Sequence, residues 1–256
     1  MNHPLRWSAI VALEEPTMPS AEGFAEALAR SFPDAPPLAP AGASENLLSF
    51  SIGDHTAAVT LVPTPIPASQ LEGPTATAWY WPEAAEAFEG HAAHLLVTLI
   101  DEGGSAIDKA IRLTQLVSAA AETAGAVGIF WGPGRLVHQP AAFAEQAQQM
   151  SQDDLPLFLW VDFRVGQVDE MAVGLFTTGL AALGIDEIEV ASFPGEPPQL
   201  ISHTYNIAHY LLTSRKAVSD GQTIGVSEEE MATISRGPSM LDPELEVWRL
   251  SFEPNA

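Results

Sequence analysis

The apolar residues of this chain change period in a fixed order, and that order recurs. Trp7–Leu13 reads as a strand. Ser20 stands as an N-cap, and Phe24, Leu28 and Phe32 follow at helical spacing until Pro33 ends the run. Asn46–Ile52 and Thr56–Val62 flank Gly53-Asp54-His55 and read as a hairpin. A helix from about Ala76 or Pro82 to Phe88 precedes His94–Ile100, a continuous apolar run expected of a strand covered on both faces. Ser105 and Asp108 then form a capping pair. Ile107, Ile111, Thr114, Val117 and Ala121 make a helical stripe, and Gly125 suits the position just past its end.

The same succession restarts at Ala126. Ala126–Trp131 is a strand, and Pro140 opens a helix with Phe143, Ala147 and Met150 on one face. Leu157–Val165 and Met171–Thr177 pair around "GQVDE". "TGLAALG" holds a short helix, Asp186–Ser192 a strand, and Pro197 opens a last helix with Leu200, Ile207 and Leu211 inward. The fold expected is therefore α+β. Two tandem ferredoxin-like β-α-β-β-α-β units, residues 1–124 and 125–215, each carry an appended helix and pack as one globular unit. A C-terminal β extension over 216–256 contributes "DGQTIGV" and "LEVWRLSF" as strands. The segments "PDAPPLAPAGAS" and "PTPIPASQLEGP" read as loops.

With 46% hydrophobic and 17% charged residues in 256, the chain has ample material for a core. No apolar run approaches the roughly 18 residues that span a bilayer. The start, "MNHPLRWSAIVALEEP", has too short an apolar run for a signal-peptide core, so a cytoplasmic location is expected. Absence of cysteine excludes disulfides, thiolate metal sites and cysteine nucleophiles.

Thirty-three acids oppose ten bases, a formal net charge of −23. From Ser31 to Asp108 there is no Lys or Arg, while Asp34, Glu45, Asp54, Glu72, Glu83, Glu86, Glu89, Asp101, Glu102 and Asp108 accumulate. Such a surface repels nucleic acid and anionic membrane and attracts a basic protein partner. It also serves plain solubility. Glu72, Glu83, Glu86 and Glu89 are the candidate acidic face.

Several motifs offer chemistry, each beside a plainer role. In "LEGPTATAWYWPEA" an extended backbone puts Trp79 and Trp81 on one face and Tyr80 on the other. Two adjacent indoles suit the floor of a groove for a sugar, a base or a cation; capping the core beside Pro82 is the alternative. His91 and His94 in "EAFEGHAAH" have metal-like spacing, but Gly90 ends the helix before them, His94 begins a strand and no further ligand pair stands nearby, so no metal is expected. "FWGPGRLVH", with Trp131, suggests a backbone approaching something closely, yet Val137 stands where a dinucleotide fingerprint needs glycine, and a tight turn explains the glycines. In "LFLWVDFRV" Asp162 and Arg164 are same-face strand neighbours, a base poised among aromatics or a surface charge pair. Thr177 and Thr178 end a strand before Gly179, where hydroxyls bind a ligand or cap a helix. Tyr205 and His209 share a helix face away from the apolar stripe.

"LEGPTATAWYWPEA", "HLLVTLID", "GIFWGPGRLVHQP", "LPLFLWVDFRV", "LFTTGLAALGIDEIEV", "NIAHYLL" and "DGQTIGVSEEE" occur in this order. Together they resemble a bacterial domain-of-unknown-function family numbered 4261, over roughly Ala9 to Leu250. The resemblance implies a bacterial, cytosolic protein and supplies no reaction, cofactor or catalytic residue. The residues favour a non-catalytic interaction protein whose acidic face docks a basic partner, as a toxin-neutralising or secretion-associated adaptor would. The alternative is an enzyme or small-ligand domain using Trp79, Trp81, Trp131, Asp162, Arg164 and Thr177 in a cleft between the halves. No cofactor is expected.

Overall fold

β1 (Ser8–Leu13) is buried at all six positions, which places it inside a sheet covered on both faces. It pairs antiparallel with β5 (Ala93–Leu99) on one side, Ile10 opposite Leu96, and with β6 (Ala126–Trp131) on the other, Ile10 opposite Phe130. The hairpin of β3 (Leu47–Ile52) and β4 (His55–Val62) continues the sheet beyond β5. β2 (Leu38–Ser44) and β7 (Leu136–His138) form its edges, in the order β2-β3-β4-β5-β1-β6-β7. The computed structural model describes residues 7–100, 104–214, 218–226 and 230–254. They belong to two compact units, Met1–Trp160 and Val161–Ala256.

In the first unit, side-chain parity decides what each sheet face meets. Ile10 and Ala12 share a core with Leu71, Trp81, Ala84 and Phe88. These come from α2 (Ala68–Ala76), α3 (Ala84–Glu89) and the turn between them. Ala9, Val11 and Leu13 therefore point to the opposite face, where α4 (Ala106–Ala124) packs on β1, β5 and β6 and is flanked by α1 (Ala21–Ser31) and α5 (Pro140–Gln149). α4 begins and ends as its sequence dictates. The Ser105 hydroxyl accepts from the Ile107 N–H at 3.2 Å, and Gly125 takes the left-handed conformation at φ 65°. Its burial is wider than the stripe foretold, because Lys109, Gln115 and Ser118 are buried too. α6 (Leu157–Trp160) closes the unit.

The second unit is a six-stranded sheet in the order β11-β12-β13-β10-β9-β8. Its strands are β8 (Asp162–Asp169), β9 (Ala172–Thr178), β10 (Ile188–Phe193), β11 (Gln222–Gly225), β12 (Glu230–Pro238) and β13 (Glu246–Pro254). A short α7 (Leu180–Leu183) joins β9 to β10. α8 (Pro197–Thr213) packs on β8, β9 and β10 through Leu200, Thr204, Ile207 and Ala208. β13 runs parallel to β10, Ile188 opposite Trp248, so the C-terminal strands do extend a sheet.

The chain is thus α+β with largely antiparallel sheets. The finer pattern differs from the recurrence. A β-α-β connection in a ferredoxin-like unit joins parallel strands, but β4 and β5, joined through α2 and α3, pair antiparallel. The seam also falls elsewhere: β6 and β7, assigned by periodicity to the second half, hydrogen-bond into the first sheet, so the units part after Trp160 rather than after residue 124. Periodicity reports a strand's exposure and not its neighbour, which is why it misplaced them.

Three local differences have local causes. "LAPAGAS", expected as loop, is the edge strand β2. Pro40 is tolerated there because an edge strand has one unpaired side, and a bulge follows before Gly42. "ASQLEGP", also expected as loop, belongs to α2, with Pro74 in its last turn. Leu157–Trp160 is a helical turn rather than the start of a strand, so the face alternation expected from Leu157 begins only at Asp162.

Candidate functional site

The turn from α2 to α3 holds the aromatic triplet, and it does not run extended. Backbone N–H groups of Trp79 and Trp81 bond back to Thr77 and Ala78 carbonyls at 2.9 Å, and the three rings diverge. Trp81 turns inward, 8% exposed, with its ring 5.9 Å from Phe88. Tyr80 lies across the sheet edge. Its hydroxyl donates to the Val137 carbonyl at 3.0 Å and its ring stacks over His138 at 6.1 Å. Trp79 is left outside, 65% exposed, edge-on to Tyr80 at 5.7 Å. The expected pairing of Trp79 with Trp81 on one face is therefore corrected: a coil of turns, not a strand, carries them.

The four glutamates surround this turn in sequence and all are exposed. Glu72 projects from α2. Glu83 precedes the first residue of α3, and Glu86 and Glu89 follow at three-residue steps, opposite the buried Ala84 and Phe88. None of the four has an ion pair among the described residues. The arginines with recorded ion pairs meet other acids: Arg30 meets Glu122, Arg164 meets Asp162 and Arg236 meets Asp186. Asp101 and Glu102, counted in the base-free span, lie outside the described residues.

The remaining candidates for a groove have surroundings of their own. Trp131 is 1% exposed and packs on Phe143 at 6.2 Å. Close approach in "FWGPGRLVH" is internal: a Cβ on Gly134 would sit 2.3 Å from the Trp160 carbonyl oxygen, and Arg135 takes φ 54° in the turn. Asp162 and Arg164 belong to the second unit and meet at 2.5 Å. Asp162 is buried, and that desolvation raises its pKa against the opposing pull of Arg164.

Thr177 is buried as well, and its partner was not foreseen. Its hydroxyl donates to Glu187 at 2.7 Å, and the same carboxylate accepts from the N–H groups of Gly179, Leu180 and Ala181 at 2.8, 3.2 and 3.0 Å. The free N–H groups of a helix start take an internal anion here. No local spacing rule links position 187 to 177, so only the folded β9-α7-β10 connection reveals it.

His91 and His94 serve the backbone. His91 receives the Ile66 N–H at 2.7 Å and bonds Phe88 O at 2.5 Å, and His94 bonds Thr64 O at 2.8 Å. Burial lowers the His94 pKa, partly offset by that carbonyl. Among the described residues no group of three or more His, Asp or Glu is placed to hold a metal. Nor is any described helix long and apolar enough to cross a membrane. Tyr205 and His209 stack at 6.3 Å, half-buried, with Phe163 of β8 against Tyr205.

No curated protein and no solved structure matches the chain. One family model does, over residues 176–251, from the end of β9 into β13. Residues 176–251 match the model of the domain of unknown function DUF4261, the family that the ordered motifs resemble.

Proposed function

We propose that this is a bacterial, cytoplasmic, non-catalytic binding protein whose α2–α3 surface docks a basic segment of a protein partner. Trp79 is the aromatic anchor, and Glu72, Glu83, Glu86 and Glu89 are the charges that select and steer that segment. The single observation behind this reading is the exposure of Trp79 on a stretch with four exposed glutamates, none ion-paired among the described residues. A large side chain in water gains most when a partner covers it, and Trp and Arg dominate measured interface energetics. An arginine laid over the indole, with carboxylates beside it, satisfies both groups at once. Toxin neutralisation and assistance to secretion are roles in which such an acidic adaptor serves.

The aromatic-cleft reading has less support. Trp81 and Trp131 are interior side chains of the first unit, and Thr177 is engaged by Glu187.

Titration of the whole protein with a fluorescein-labelled Arg/Lys-rich peptide at low ionic strength tests the proposal. Binding is expected to weaken with salt. It is also expected to fall several-fold in Trp79→Ala and in the variant with Gln at 72, 83, 86 and 89. Gln at four other exposed acids, Glu14, Glu15, Glu22 and Glu26, is expected to change it little. Equal loss in both glutamine sets would mean a diffuse charge effect and would overturn the site.

A further inference from the structure

A second feature, in the other compact unit, stands independently of the α2–α3 reading. Between β12 and β13 the chain reads Ser239-Met240-Leu241-Asp242-Pro243-Glu244-Leu245. Met240, Leu241 and Leu245 are 54%, 65% and 52% exposed, three large apolar side chains in water within six residues. Single exposed apolar residues are ordinary; a cluster on one loop tip is not.

The loop is held, not loose. Glu189 of β10, only 3% exposed, accepts from the Ser239 hydroxyl and, at 2.9 Å, from the Met240 N–H. The Ser239 oxygen in turn accepts from the Leu241 and Asp242 N–H groups at 3.0 and 3.1 Å. Asp242 accepts from the Glu244 N–H at 3.1 Å, and the Ser239 N–H closes the loop onto the Leu245 carbonyl at 2.7 Å. Burying a carboxylate is costly unless hydrogen bonds satisfy it. Here a buried carboxylate is committed to fixing a loop that offers its apolar side chains outward. Fixing them in advance removes ordering entropy from a binding step.

We propose that this β12–β13 loop is a preformed docking knob that inserts Met240, Leu241 and Leu245 into an apolar pocket of another protein, rimmed by Lys or Arg. The rim chemistry follows from Asp242, Glu244 and Glu246, all exposed and interleaved with the apolar residues. These carboxylates oppose insertion into an anionic bilayer. They oppose self-pairing of a chain that already carries −23. The loop and Glu189 both lie inside the segment matched by the family model.

The test places a photoreactive benzoylphenylalanine at position 241 of the full chain, in the cells that make the protein, and sequences the cross-linked peptides. The expected result is an adduct with a different protein whose linked peptide joins apolar residues to nearby Lys or Arg. That adduct should fall several-fold when Met240→Ser and Leu245→Ser are added, and also in Glu189→Gln, which loosens the loop. The paired serine changes lie on the surface, so the fold survives them even if Glu189→Gln does not. No adduct, an adduct with a second copy of this chain, a lipid adduct, a linked peptide lacking basic residues, or indifference to the serine pair would overturn the proposal.

Discussion

The indole N–H of Trp160 donates to the Thr114 hydroxyl at 2.8 Å, and both side chains are buried. The bond ties α6 to the interior of α4, while the Thr114 hydroxyl donates onward to the Ala110 carbonyl at 2.8 Å. Thr114→Val keeps the shape and strands the indole N–H. A buried donor left without a partner costs about 1–3 kcal/mol. Urea unfolding should show that loss, and Thr114→Ser should recover most of it.

His138 gives the fold an acid limit. It is buried, and desolvation lowers its pKa from 6.5 to about 4 despite its bond to the Leu159 carbonyl. Below pH 6.5 the unfolded chain takes up a proton that the folded chain refuses until about pH 4. Its contribution to stability is therefore complete above 6.5 and declines from there down to about pH 4. That shift corresponds to about 3 kcal/mol. His94, lowered in the same direction, steepens the decline. Urea midpoints measured across this range should drop on acidification, and His138→Gln should flatten the slope.

Gly128 is a packing requirement. A Cβ there would lie 2.5 Å from the Phe88 ring, inside the core beneath α3. Gly128→Ala should cost about 1–3 kcal/mol, the usual penalty of overpacking. Gly90→Ala, which meets nothing within 4 Å, should cost far less. If the ring is the cause, Phe88→Leu combined with Gly128→Ala should lose less than the sum of the two single changes, as a thermal-melt cycle would reveal.

Glu187 holds the β9-α7-β10 connection through three N–H groups and one hydroxyl. Glu187→Ala should cost about 1–3 kcal/mol by leaving those donors with fewer partners. Hydrogen exchange at Gly179, Leu180 and Ala181 should quicken more than at Ile207 of α8. Glu187→Gln, which retains an acceptor, should fall between the two.

The elements that announced themselves did so through chemistry within a few residues. Ser105 and Gly125 bracket α4, Pro140 and Pro197 open α5 and α8, and the tight glycine turn near Trp131 is real. What stayed hidden depends on distant partners. Nothing beside Ala126 tells that β6 will pair with β1 rather than open a second domain. Proline in "LAPAGAS" argues for a loop until the free edge that excuses it is known. The proposed α2–α3 surface was half legible. Glu72, Glu83, Glu86 and Glu89 stand out as a run without bases, and all four reach the surface. Sorting Trp79 from Trp81 required the backbone of the turn, since identical side chains two residues apart end in water and in the core.

The exposed edge strand β2 is built against pairing with a passing strand. Pro40 withdraws one amide from the row that a passing strand would need, and the bulge before Gly42 bends the rest out of line. Its small side chains offer no dry interdigitating face of the sort that locks stacked chains together. The sheet thereby ends where its own sequence ends it, and that border is a poor template for fibre growth.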